Sequence, residues 1–275
     1  MDAAGKRYLL DKPLSDILGH LYAIQLPAAS KASTYHLGPN LEMMLVLNFG
    51  SPVRYHFGAE SKIRKIERIA VLGPLRQMMS YELMGGADLI TLPFIHDGFY
   101  RFLKLPVDQV QVEADASKIA KQMLVLETLW AVLARVADPE LRIQTLKSWL
   151  LNHIYPREHQ TQALITGITA IHDALVNPVA VMAEESALSE RTIQLRFKKY
   201  TGYSPKELLR FLRFKAVIRF LEANQDAKVD WFELILQFGY HDQSHMIKDF
   251  KYYTGTTPNN FRKLMESGSF CIGRD

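Results

Sequence analysis

Between residues 191 and 219 the chain gathers side chains suited to holding a polyanion. Arg191, Arg196, Lys198, Lys199, Lys206, Arg210, Arg213, Lys215 and Arg219 face a single acid, Glu207, a local balance of 9 − 1 = +8. The chain as a whole is only +4, with 33 Lys and Arg against 29 Asp and Glu. Charge concentrated in this way favours a phosphate backbone or another acidic partner. The plainer alternative is a solvated helix face, and charge alone does not separate the two.

Bond-making chemistry has weaker candidates. His36, Glu42, His56 and His96 are the residues one would name for a metal-binding barrel. Their spacing brings no two histidines to adjacent strand positions and no three ligands together, so they read as hydrogen-bonded structural groups, with no metal and no cofactor implied. No Gly-x-Ser-x-Gly elbow, phosphate-binding loop or Gly-x-Gly-x-x-Gly turn occurs. A single cysteine, Cys271, excludes a disulfide framework and a Cys-rich zinc module. No residue is assigned a catalytic role.

The elements that must position these residues fall into two textures. With 275 residues, 48% of them apolar, the chain can build one large or two ordinary domains. The first thirty residues lack the apolar core of a signal peptide, and no uncharged apolar run is long enough to span a bilayer. The expectation is a soluble, cytoplasmic protein. Up to about residue 113 short apolar or alternating runs recur: Leu41–Asn48, Val53–Phe57, Ile69–Leu72, Met78–Leu83, Leu89–Pro93 and Val110–Val112. Turn signals separate them, which predicts a small barrel or sandwich. Its many aromatic and methionine residues could line a ligand pocket or simply fill a core. Ser117–Val136 then reads as a helix apolar nearly all round. A second helix starts at Asp138-Pro139, with Asp138 as its cap. These two could cover the barrel or join subunits. His153–Gln160 is a linker, and everything beyond it reads as helical.

That second half contains a duplication. Phe197-Lys-Lys-Tyr-Thr-Gly-Tyr-Ser-Pro205 returns 53 residues later as Phe250-Lys-Tyr-Tyr-Thr-Gly-Thr-Thr-Pro258, identical at six of nine positions. Each copy ends a helix at a glycine, Gly202 or Gly255, and opens the next with a hydroxyl cap and a proline. Ser204 and Glu207 form a capping box. Upstream of each lies a short helix, a tight turn and a second helix: Val179–Glu185 then Ser189–Tyr200, and Trp231–Phe238 then Asp242–Tyr253. A helix from Ser204 to about Glu222 joins them. Two helix–turn–helix units on one strut suit adjacent major grooves of DNA.

Here the sequence resembles a known family. Ser-Glu-Arg-Thr-Ile-Gln-Leu-Arg-Phe-Lys (189–198), Phe-Gly-Tyr-His-Asp-Gln-Ser-His (238–245) and the ending at 250–262 are similar to the AraC/XylS bacterial transcription regulators, over about residues 162–265. The resemblance implies an α+β chain: a β-barrel-like, cupin-like domain with trailing helices at 1–157, then an all-α DNA-binding domain at 158–275. It further implies that Ser189, Glu190, Arg191, Gln194, Leu195, Lys198 and Lys199 of the first recognition helix meet DNA. In the second, Gln243, Ser244, His245, Ile247, Lys248 and Lys251 would do so. Arg191 can pair with guanine and Gln194 with adenine, while Lys198 and Lys251 suit phosphate. Leu195 stands where the family commonly has a basic residue, and Ala187 where it has a turn glycine, tolerable while its φ stays negative. The implied partners are double-stranded DNA, RNA polymerase, a small-molecule effector and a second copy of the chain, with no membrane. Two rival readings stay open: a cupin-like enzyme with an accessory helical domain, and a ligand-independent regulator controlled by a protein partner.

Overall fold

The computed structural model describes residues 5–40, 42–110, 120–158, 161, 178–224, 229–266 and 270–271. In the first half the strands are β1 (Gly5–Tyr8), β2 (Leu21–Gln25), β3 (Ser33–Leu37), β4 (Met43–Asn48), β5 (Val53–Phe57), β6 (Arg64–Ile66), β7 (Ile69–Leu72), β8 (Met79–Leu83) and β9 (Asp88–Phe94). The helices there are α1 (Gly98–Leu103), α2 (Ala120–Ala134) and α3 (Pro139–His153). The second half is helical: α4 (Pro178–Ser186), α5 (Glu190–Thr201), α6 (Pro205–Ala223), α7 (Trp231–Gln237), α8 (Gln243–Thr254) and α9 (Pro258–Glu266). A two-residue strand, β10 (Phe270–Cys271), follows.

The strands form two five-stranded sheets, ordered β1-β2-β9-β4-β7 and β10-β3-β8-β5-β6. The expected barrel is therefore not closed: each sheet keeps its own edges, and the two are held by a shared apolar filling. All the pairings are antiparallel except β10 on β3, where Phe270 and Cys271 lie beside His36 and Leu37. Strand β4 shows why its sequence is a continuous apolar run. Met44 and Val46 pack with Tyr55, Phe57 and Leu83 of the other sheet. Met43, Leu45 and Leu47 pack on the opposite side with Leu126, Leu129 and Leu133 of α2 and Ile143, Leu146 and Leu150 of α3. A strand buried on both faces has no polar alternation to show. The trailing helices thus cover the first sheet, and Asp138 caps α3 by accepting from Leu141 N–H at 2.7 Å. The residues expected at 111–112, 117–119 and 159–160 lie outside the described ones.

In the second half α6 is the common spine. Leu208 joins Ile193, Phe197 and Tyr200 around the first helix pair. Phe211, Phe214, Val217, Ile218 and Leu221 join Leu234, Met246, Phe250, Tyr253 and Phe261 around the second. The caps follow the repeat. Ser189 accepts from Thr192 N–H, and Ser204 and Glu207 close a capping box. Asp242 accepts from His245 N–H at 2.7 Å. Gly202 and Gly255 end α5 and α8 with φ of 73° and 75°, a region open to glycine at little cost.

Candidate nucleic-acid interface

Helix α5 sorts its residues by turn. Ile193, Phe197 and Tyr200 are buried, while Glu190, Arg191, Gln194, Leu195 and Lys198 form its exposed face. With Ser204, Pro205, Lys206 and Leu209 of the α6 entry, that face walls an open groove of about 520 Å³. Lys206 extends the basic surface; its position only became readable once α6 was seen to start beside α5. Leu195 is 60% exposed among these polar neighbours. An apolar side chain there meets a thymine methyl well and a phosphate badly.

Lys199 does not share this face. Its ammonium lies 3.2 Å from the Tyr200 hydroxyl, 4.3 Å from the Tyr100 ring centre and 3.9 Å from Glu158. Burial pulls its pKa down, but the bonds to Tyr200 and Tyr100 more than offset this and hold it above the ordinary value. It serves the seam with the first domain. Ser189 is already occupied as the cap of α5.

On α8, Gln243, Ser244, Lys248 and Lys251 are exposed, and His245 and Ile247 are half-buried. The His245 ring sits edge-on to Tyr240, centroids 5.2 Å apart. The backbone N–H of His245, first among the causes, holds the Asp242 carboxyl below its ordinary pKa. Asp249 is fully buried and accepts from Arg210 Nε at 2.7 Å. The +8 segment is consequently not one stripe. Arg210 holds Asp249, and the Arg213 guanidinium lies 5.5 Å from the Tyr240 ring centre. Burial, followed by the charge of Arg219, lowers the pKa of Lys215. Arg191, Lys198, Lys206 and Arg219 are the exposed part, and Arg219 lies far along α6 from the other three.

One turn departs from expectation. Ala187 has φ of +53°, not a negative value, and does the work of the glycine it replaces. In the second unit the left-handed residue is Gly239, φ +66°.

Residues 182–264 match the family model described as a helix-turn-helix domain. The chain carries an AraC-type helix-turn-helix domain. No curated protein matches the chain in sequence. Among solved structures, ToxT from Vibrio cholerae is similar at 14% identity, over 89% of this chain and 97% of that one, with a TM-score of 0.41. An unsaturated-fatty-acid-bound ToxT from the same species is 11% identical over 95% and 97%, TM-score 0.38. The AraC-like transcriptional activator CuxR is 11% identical over 82% and 88%, TM-score 0.26. The match runs from within α4 through α5, the α6 spine, α7 and α8, so both candidate reading faces lie inside it.

The first-domain histidines are arranged otherwise than their sequence spacing implied. His36 and His56 both sit opposite Ser80, one on each neighbouring strand, so the three share a face of the second sheet. His36 Nδ1 is 2.9 Å from Ser80 Oγ, and burial, then the charge of His56, lowers its pKa. Cross-strand neighbours of this kind are far apart in sequence, which hid the pair. Among the described residues no group of three or more His, Cys, Asp or Glu is placed to hold a metal. Nor is any helix among them long and apolar enough to cross a membrane.

Proposed function

We propose that this protein is a sequence-specific DNA-binding transcription regulator whose helices α5 and α8 enter adjacent major grooves. The observation that carries this reading is the pairing of two alike-capped helices on one helical spine, within an AraC-type domain. At 1.5 Å per residue the 19 residues of α6 span about 28 Å, and successive groove faces on one side of B-DNA are about 34 Å apart. Arg191 and Gln194 would read bases in one groove and Gln243 and His245 in the next, with Lys198, Lys248 and Lys251 on phosphates. In this reading residues 1–157 sense a small molecule or hold a dimer together, and residues 158–275 read DNA in the cytoplasm. Contact with RNA polymerase would carry the signal to the promoter. No catalysis is assigned.

Selecting bound sequences from random DNA tests this. The wild-type chain should recover two boxes about one helical turn apart. Arg191→Ala should cost about 1–3 kcal/mol and relax preference at one or two base pairs of one box. His245→Ala should relax the other box, about 10 base pairs away, with a smaller loss. If both variants relax the same positions, the two-groove arrangement is wrong. A separate observation favours a dimer: Leu124, Val125 and Val132 of α2 form an exposed apolar stripe at helical spacing.

A further inference from the structure

The nine-residue repeat does more than turn one helix into the next. Both of its Thr-Gly corners rest on the same small part of the first domain, around the loop Gly73–Met78 between β7 and β8. At the first corner, Arg76 donates to the Gly202 carbonyl and, at 2.9 Å, to Glu207 Oε1. Its guanidinium lies 4.2 Å from the ring centre of Tyr203, which is 2% exposed. The corner is seated so closely that a Cβ on Gly202 would come 2.8 Å from both Pro74 and Val107. At the second corner, Met78 N–H donates to the Tyr253 carbonyl at 2.7 Å, and the Met78 side chain joins the apolar core around α6 and α8. Gly255 sits against the backbone of Gly58, whose N–H in turn donates to the Met78 carbonyl at 2.8 Å.

One loop therefore holds the C-terminal ends of both recognition helices. The other link between them is α6, and bending or twisting of that helix would move α8 relative to α5; a loop that holds both corners opposes this. We propose that Arg76, a residue outside the DNA-reading domain, is a positioning residue for DNA specificity: it locks the first corner to a loop whose far end holds the second, and so sets the spacing of DNA boxes the protein selects. The proposal rests on the reading of α5 and α8 as the two DNA-reading helices. Base pairs lie about 3.4 Å apart along each strand, so a slip of that size between the helices changes the preferred spacing by one. Arginine suits the role because its planar fork reaches a carbonyl and a carboxylate at once while stacking on an aromatic face. A lysine at this position keeps the charge and loses that geometry.

The experiment measures binding of the full chain to DNA carrying the two selected boxes at the optimal spacing and at one and two base pairs more or less. Wild type should favour one spacing over its neighbours by about tenfold or more. Arg76→Ala and Arg76→Lys should both bring neighbouring spacings to within about threefold of the optimum, with the optimum itself little changed. Glu207→Gln removes the ionic partner while keeping a residue competent for the capping box; it should relax spacing in the same direction by a smaller factor, and it covers the case in which Arg76→Ala folds poorly. Spacing selectivity that is sharp and equal in wild type and all three variants overturns the proposal and leaves the two-helix reading standing. A wild-type chain that needs only one box overturns that reading, and this proposal with it.

Discussion

Ala187 turns the chain between α4 and α5 with a left-handed backbone, φ +53°, and it is not a glycine. For an L-residue that conformation costs about 1–2 kcal/mol, and the structure bears it because the caps on either side fix the turn. The sequence showed that a glycine was missing but not which way the backbone went. Ala187→Gly should relieve the strain, less the extra entropy a glycine loses on folding, for a net gain of about 0.5–1 kcal/mol in urea unfolding. No gain would mean that the neighbouring packing, not the side chain, enforces the turn. The charged residues divide on the same scale. Lys198 is exposed on the α5 face, while Lys199, its chain neighbour, is spent on Tyr100 and Glu158. Lys198→Ala should weaken binding to every DNA sequence alike and make the salt dependence shallower by about one unit. Lys199→Ala should leave that slope unchanged.

Elements were legible in proportion to how strongly their ends and patterns were marked. Val53–Phe57 and Ile69–Leu72 were readable to the residue. So were the caps at Ser189, Ser204 and Asp242, because a cap is a local chemical event. The strands Gly5–Tyr8, Ser33–Leu37 and Arg64–Ile66 left little sign: they are polar and half-exposed, and they depend on a neighbour for pairing. Helix α2 explains its own odd sequence. Leu126, Leu129 and Leu133 bury against the sheet, and Leu124, Val125 and Val132 remain outside. In the dimer reading proposed above, a second copy of the same stripe would be a self-complementary cover for it, as a two-fold contact requires. Changing Leu124 and Val132 together to Glu should leave the fold intact and shift sedimentation from dimer to monomer at micromolar concentration. If the wild type sediments as a monomer with and without DNA, the stripe has another use.

At the scale of the whole molecule, the least legible feature was how the two domains meet. The repeat could be read as a way to end one helix and start another; that both glycine corners would also face a single loop of the first domain depends on contacts between residues more than a hundred positions apart. Two glycines of the same backbone type separate these effects. Gly202 and Gly239 have similar positive φ, 73° and 66°, so alanine at either pays a left-handed strain of about 1–2 kcal/mol. Around Gly239 nothing would lie within 4 Å of the new Cβ, whereas at Gly202 it would stand 2.8 Å from Pro74 and Val107. Gly202→Ala must therefore also push the first domain off the corner, losing the seat of Tyr203 and the bonds of Arg76. The added cost should be about 1–3 kcal/mol, in the range of overpacking a filled site. Thermal unfolding of the two variants measures the difference. Limited proteolysis should show Gly202→Ala opening between the domains while Gly239→Ala does not. Equal destabilisation, with the same cleavage pattern, would mean that the corner yields without moving the seam, and that the domains are tied mainly at Met78 and Tyr253.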